Sequence, residues 1–156
     1  MTERDALVVL SSQDPVAAAR AASLLWNMWH RSGDRHLDAI LAGGIAAMER
    51  QDLAGAEAAF TSLIEAAPDF AEGWNKRATV RYMAQDFEGS IADCRETLAR
   101  KPAHFGALSG QGLCHLALHQ WREAAALFRR TLEVYPTLAT ARANLQTATA
   151  EAVRWN

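Results

Sequence analysis

Three prolines, Pro68, Pro102 and Pro136, stand at one constant interval along the chain. A sequence with such a period folds one unit at a time, and each unit must satisfy the same constraints. Shifting the chain by that interval aligns the segments 37–70, 71–104 and 105–138. Small residues recur in two columns: Gly44, Ala78 and Gly112 in one, and Ala56, Ser90 and Ala124 in the other. Two antiparallel helices approach closely only where both lack bulk, so paired small columns mark a tight helical hairpin. A bulky column holds Leu53, Phe87 and Trp121, and a second holds Phe60 and Phe128 with Cys94 between them. Ile64, Leu98 and Leu132 complete the apolar stripe of each second helix, at spacings of three and four. The turns read RQDL, AQDF and HQW, and each unit ends just before its proline, which cannot continue a helix.

Period, small columns, aromatic columns and terminal prolines together resemble the tetratricopeptide-repeat (TPR) family, whose unit is a helix–turn–helix of the same length. The resemblance covers 37–138 and runs more loosely into both flanks. It points to a small, stand-alone TPR protein of the bacterial type. It implies an all-α fold, a right-handed α-solenoid of three hairpins (37–70, 71–104 and 105–138). Paired helices are expected at about 37–50 with 53–66, 71–84 with 87–100, and 105–118 with 121–134. No long linker separates these elements, so residues 1–156 are expected to form a single domain.

The flanks read as a degenerate N-terminal pair and a C-terminal cap. Residues 4–12 carry Leu7, Val8 and Leu10 and suggest a short helix. Asp14-Pro15 opens a second, with Asp as cap and Pro at the first helical position, running to about Arg31 and stopping at Ser32-Gly33. Ala22 falls in the small column and Trp26 in the large one. Leu25, Trp26 and Trp29 are expected to cover the first face of the 37–70 repeat as core residues. Thr137 to Asn156 gives a last helix whose Gln146, Thr147, Thr149, Glu151 and Arg154 keep one side polar, as the open end of a solenoid requires.

Composition narrows the partners. Sixteen basic and 18 acidic residues give a net charge of −2, with no basic excess for a nucleic-acid backbone. No apolar run approaches the ~18 residues of a membrane span, and the start, MTERDALVVLSSQDP, lacks a signal-peptide core. A cytoplasmic location is expected, or a periplasmic one if a leader has been removed. Cys94 and Cys114 form no CxxC pair and fall on interior columns, where small buried hydrophobes are expected rather than a disulfide or redox pair.

Few residues could carry chemistry. Arg77 occupies a column that is usually apolar in the family, and Asp93 follows on the partner helix of the same repeat. The resemblance implies a buried structural ion pair between them, which Arg81 could share. A buried guanidinium without a carboxylate would be costly. His115 and His119 stand four apart, a metal-ligand spacing, but without HExxH or a third ligand they read as structural. Gly43-Gly44 and Gly110-Gln-Gly112 lie inside helices and permit close packing. No Ser–His–Asp set, GxSxG or P-loop is present. No catalytic, cofactor or metal site is expected.

In TPR arrays the first helices line a concave groove. On this sequence the resemblance places Leu41, Ile45 and Met48 there from the first repeat. Asn75, Lys76, Thr79 and Tyr82 come from the second, and Leu113 and Leu116 from the third. Such a surface suits a peptide or helix with apolar anchors. TPR domains that grip acidic chaperone tails place Lys, Asn and Arg where this chain has Leu41, Ile45, Lys76, Gly106 and Gly110; Lys76 alone matches. The expected function is a non-catalytic adaptor or scaffold, monomeric or weakly self-associating, that binds a protein segment in the groove. The alternative is a structural protein that self-assembles through its end faces.

Overall fold

The computed structural model of the chain describes residues 1–155. Its helices are α1 (Glu3–Leu10), α2 (Pro15–Trp29), α3 (Arg35–Glu49), α4 (Leu53–Ala66), α5 (Ala71–Met83), α6 (Phe87–Arg100), α7 (Phe105–Ala117), α8 (Trp121–Val134) and α9 (Ala139–Arg154). Helices α3/α4, α5/α6 and α7/α8 form the three hairpins; α4 packs on α5 and α6 on α7, and α9 closes the array against α8. This is an α-solenoid. Among the described residues no helix is long and apolar enough to cross a membrane.

The turns inside the hairpins repeat as faithfully as the prolines. Gln51, Gln85 and His119, spaced at the same interval, each take a left-handed backbone conformation, with φ of 62°, 63° and 59°. The next amide then reaches back five residues: Asp52 N–H to Ala47 O, Asp86 N–H to Arg81 O and Gln120 N–H to His115 O, at 2.8–2.9 Å. The left-handed residue thereby satisfies the carbonyls left open at the helix end. Asp52 and Asp86 then cap the second helices by accepting from the amides of Gly55 and Gly89.

Within the hairpins the small column meets the aromatic one. A Cβ at Gly44 would lie 2.5 Å from the ring of Phe60, and one at Gly112 would lie 2.8 Å from that of Phe128. Each glycine therefore makes room for a fully buried phenylalanine. The middle repeat solves the same problem differently, with Ala78 and Cys94 at the two positions. Arg77 holds Asp93 through two bonds of 2.8 Å, from Nε and Nη2, and Arg81 Nη1 adds a third at 3.1 Å. Arg77 also donates to Thr61 and Arg81 to Glu57, so the network ties α5 and α6 to α4.

One expected contact is not formed. Leu25, Trp26 and Trp29 do not cover the first face of the 37–70 repeat. The α1–α2 hairpin crosses instead to the far side of the groove. There Leu25 and Trp29 share a core with Phe105 at the start of α7 and Tyr135 at the end of α8, and Trp26 packs against it. The reason is aromatic. His104, Phe105 and Tyr135 stand together at the repeat junctions, and the two tryptophans find large flat partners there.

Candidate functional site

The concave face is divided in two by α2. The covered half is built on Glu72, in the first turn of α5. Its side chain has no exposure, yet Asn75 Nδ2 donates to Oε1 at 2.9 Å and Lys76 Nζ lies 3.6 Å away. His104 caps α7: the Ala107 amide donates to its Nδ1 at 3.1 Å. That bond requires a lone pair on Nδ1, so the proton sits on Nε2, which donates to Glu72 Oε2 at 3.2 Å. His30, at the end of α2, places Nε2 3.3 Å from Glu72 Oε1. Burial pushes the Glu72 carboxyl up, but the imidazoles of His104 and His30 and the Lys76 ammonium outweigh it. They hold the group well below the usual carboxylate range. Two histidines on one carboxylate resemble a metal ligand set, but a protonated Nε2 has no lone pair to give. Among the described residues no group of His, Cys, Asp and Glu is arranged to hold a metal.

The open half is a cavity of about 290 Å³ in the groove. Asn75, Thr79 and Tyr82 of α5 form one wall, and Ser109, Gly110 and Leu113 of α7 the other. Ala78, Ser90 and Cys94 line it more deeply. Its position has a simple cause. Where the flanking repeats bury Phe60 and Phe128, this repeat has Cys94, and the space a ring would take is left empty. The floor is rigid: Ser90 Oγ donates to the Ala78 carbonyl at 2.7 Å and accepts from Cys114 Sγ at 3.2 Å. Burial pushes the Cys94 thiol up to about 12, so it stays protonated and is a poor nucleophile.

The residues expected in the groove fall into three groups. Asn75, Thr79, Tyr82 and Leu113 line the cavity, although Asn75 is 5% exposed and spends its amide on Glu72. Lys76 lies under α2, with its ammonium 5.4 Å from the centre of the Trp26 ring. The third group is turned to the core. Leu41 is 2% exposed and packs with Leu63 and Val80, so it does not face the groove. Ile45 and Met48 pack against the same cluster, and Leu116 packs against Ala125, Phe128 and Ala148. The successive repeat rolls onto Leu41 and covers it; Ile45, Met48 and Leu116 are left half-buried, as is Leu113, which also packs on the Phe128 cluster. Of the two spaced histidines, His115 bonds Gln120 and His119 makes the left-handed turn beside Trp121. Cys94 was visible as the odd member of an aromatic column. Nothing in the sequence pattern singled out His104, whose partner lies 32 residues away.

Comparison with known proteins agrees with this architecture. A model of the tetratricopeptide repeat family matches residues 41–105. A TPR repeat-containing protein of Rhizobium etli is 30% identical over 136 residues, 83% of this chain and 63% of the relative. The chain thus spans a little under two thirds of that relative's length. A homologue of a BBSome complex member from Drosophila melanogaster is 29% identical over 85 residues, 54% of this chain and 18% of that protein. Among solved structures, the first TPR of Spaghetti bound to an HSP90 peptide superposes with a TM-score of 0.74 at 20% identity, over 75% of this chain and 93% of the other. The Arabidopsis OM64 TPR domain gives 0.71 at 22% identity, over 73% and 94%.

Proposed function

Because the chain belongs to the tetratricopeptide-repeat family, we propose that it is a protein-interaction module, an adaptor without catalytic activity. It seats an extended segment of a partner in the open half of its concave groove. The observation that carries this reading is the Cys94 cavity. It is apolar at the floor, polar at the Thr79, Tyr82 and Ser109 rim, and sized for one compact apolar side chain rather than a whole helix. Gly110 removes a side chain from the wall, so a partner backbone can approach α7 closely. Ser109 offers a hydroxyl to that backbone, Thr79 Oγ1, which donates to the Asn75 carbonyl, can accept from it, and Tyr82 offers a ring 37% exposed with a polar tip.

The HSP90 peptide carried by one structural neighbour supports protein binding in general. It does not extend to an acidic tail here: Lys76 is engaged by Glu72 and Trp26, and Gly106 and Gly110 carry no charge. A second reading, self-association through the C-terminal end, draws on Val153 and Trp155, which are 75% and 68% exposed. A pull-down with wild type and with Leu113→Asp plus Thr79→Arg separates the two. Loss of the retained protein by the variant supports the groove. Equal retention, with mass rising with concentration in light scattering, supports the end face.

A further inference from the structure

The α1–α2 hairpin lies where a partner would lie. Trp26 sits so close to α7 that a Cβ on Gly106 would be 2.6 Å from its ring. Phe105 meets the same ring edge-on at 5.4 Å, and Lys76 approaches at 5.4 Å. Trp29, one turn further along α2, stacks on His104 at 4.3 Å with the rings 22° apart. The groove thus presents a flat aromatic and small-residue floor beside a buried carboxylate, and α2 fills it with two tryptophans.

Three features mark the hairpin as a removable occupant. It is not a repeat stacked on its neighbour: α1 packs on α2, while α3 packs on α4 and α5. Its connection is short and exposed. Ser32 is tied to Asp38 through its N–H and Oγ, and the Arg31 amide to the Met28 carbonyl of α2, so the hinge falls between Arg31 and Ser32. Of its long charged contacts, Lys101 Nζ to Glu3 at 2.9 Å joins side chains that are 31% and 41% exposed, and such pairs hold weakly, while His30 to Glu72 lies at the hinge itself. The docking is therefore mainly apolar, through Trp26, Trp29 and the Leu25 core against Phe105 and Tyr135.

We propose that this half of the groove is a receptor for an amphipathic helix bearing two aromatic residues one turn apart, and that α2 is its resident, intramolecular occupant. A partner helix of the same chemistry gains Glu72, Lys76 and His104 only when the hairpin swings away about Arg31. The proposal rests on the reading of the concave face as the binding surface. It concerns the half that α2 covers, which borders the Cys94 cavity at Asn75, Phe105 and Gly106. A tethered occupant competes at high effective concentration, so the chain admits such a helix weakly until the hairpin is loosened.

The test uses the full chain, with Trp26→Ala to weaken docking and Gly106→Ala to press on Trp26 from the groove side. Amide hydrogen exchange is followed by mass spectrometry. The probe is a labelled peptide with the sequence of residues 13–31. The α1–α2 amides are expected to exchange at least tenfold faster than those of α5–α8 in the wild type. Each variant should speed them at least tenfold more and leave α3–α9 unchanged. The peptide should bind Trp26→Ala at least tenfold tighter than wild type. Exchange of α1–α2 in step with the repeats overturns the proposal, as does equal peptide binding to both proteins or none to Trp26→Ala. Cys94→Phe fills the deep end of the cavity, away from the Trp26 contacts at Phe105 and Gly106, and should leave these results unchanged, so failure of the extended-segment reading is scored separately.

Discussion

Giving the middle repeat the packing of its neighbours should make the protein more stable and less able to bind. Cys94→Phe with Ala78→Gly reproduces the glycine–phenylalanine pairing seen at Gly44–Phe60 and Gly112–Phe128. The new ring would enter the cavity of about 290 Å³ that Cys94 leaves empty. Burying a phenylalanine contributes about 1.5–3 kcal/mol relative to leaving it exposed. Part of that gain is already supplied by Cys94, which is 2% exposed. Glycine in the interior of α5 costs about 1 kcal/mol relative to alanine. The balance is a gain of about 0.5–1 kcal/mol, which raises Tm by about 1–4 °C for a domain of this size. Calorimetry reads the first effect; a pull-down against the partner retained by wild type reads the second. A destabilised double variant would refute the packing argument. A stabilised one that still retains the partner would refute the cavity as the binding pocket.

Other substitutions test other links. Asp93→Asn removes the charge that holds Arg77 and Arg81, and should cost about 3 kcal/mol in urea unfolding, while Arg77→Leu with Asp93→Leu should recover most of it; an unchanged midpoint for Asp93→Asn would dismiss the pair as a structural element. Gln85→Gly relieves a side chain held at φ 63° and should stabilise by about 0.5–1 kcal/mol; a loss would mean the glutamine side chain contributes more than its backbone strain costs. Glu72 has a lower pKa folded than unfolded, so its stabilisation is complete above its ordinary value of 4.5 and is lost as pH falls below it. The wild-type urea midpoint should therefore drop more steeply between about pH 6 and pH 3 than that of Glu72→Gln; parallel curves would show that the carboxylate carries no such linkage.

The repeat was legible because each of its constraints is local. Gly44 needs Phe60, Asp52 caps its own helix, and Pro68 ends the unit; all lie within one period, and the helices begin and end within about two residues of the expected bounds. The hairpin α1–α2 was legible as two helices but not in its docking. Trp26 could meet either the first repeat or a groove assembled from residues 76, 104, 105 and 106, and periodicity does not choose between them. The groove was half legible for a related reason. Leu41 and Thr79 stand on the same face by register, yet the roll of one repeat on the next buries the first and exposes the second. Curvature is a property of the stack, and no single unit encodes it.

The central claim is that the concave groove, at the Cys94 cavity, is the surface that meets a partner. A photo-crosslinking residue placed at Thr79 tests it directly, with the same residue at Arg129 on α8, exposed and absent from the cavity lining, as the control. Partner crosslinks from position 79 that vanish in the Cys94→Phe, Ala78→Gly background are the result expected. Crosslinks from position 129 alone, or from position 79 regardless of the filled cavity, would contradict the account.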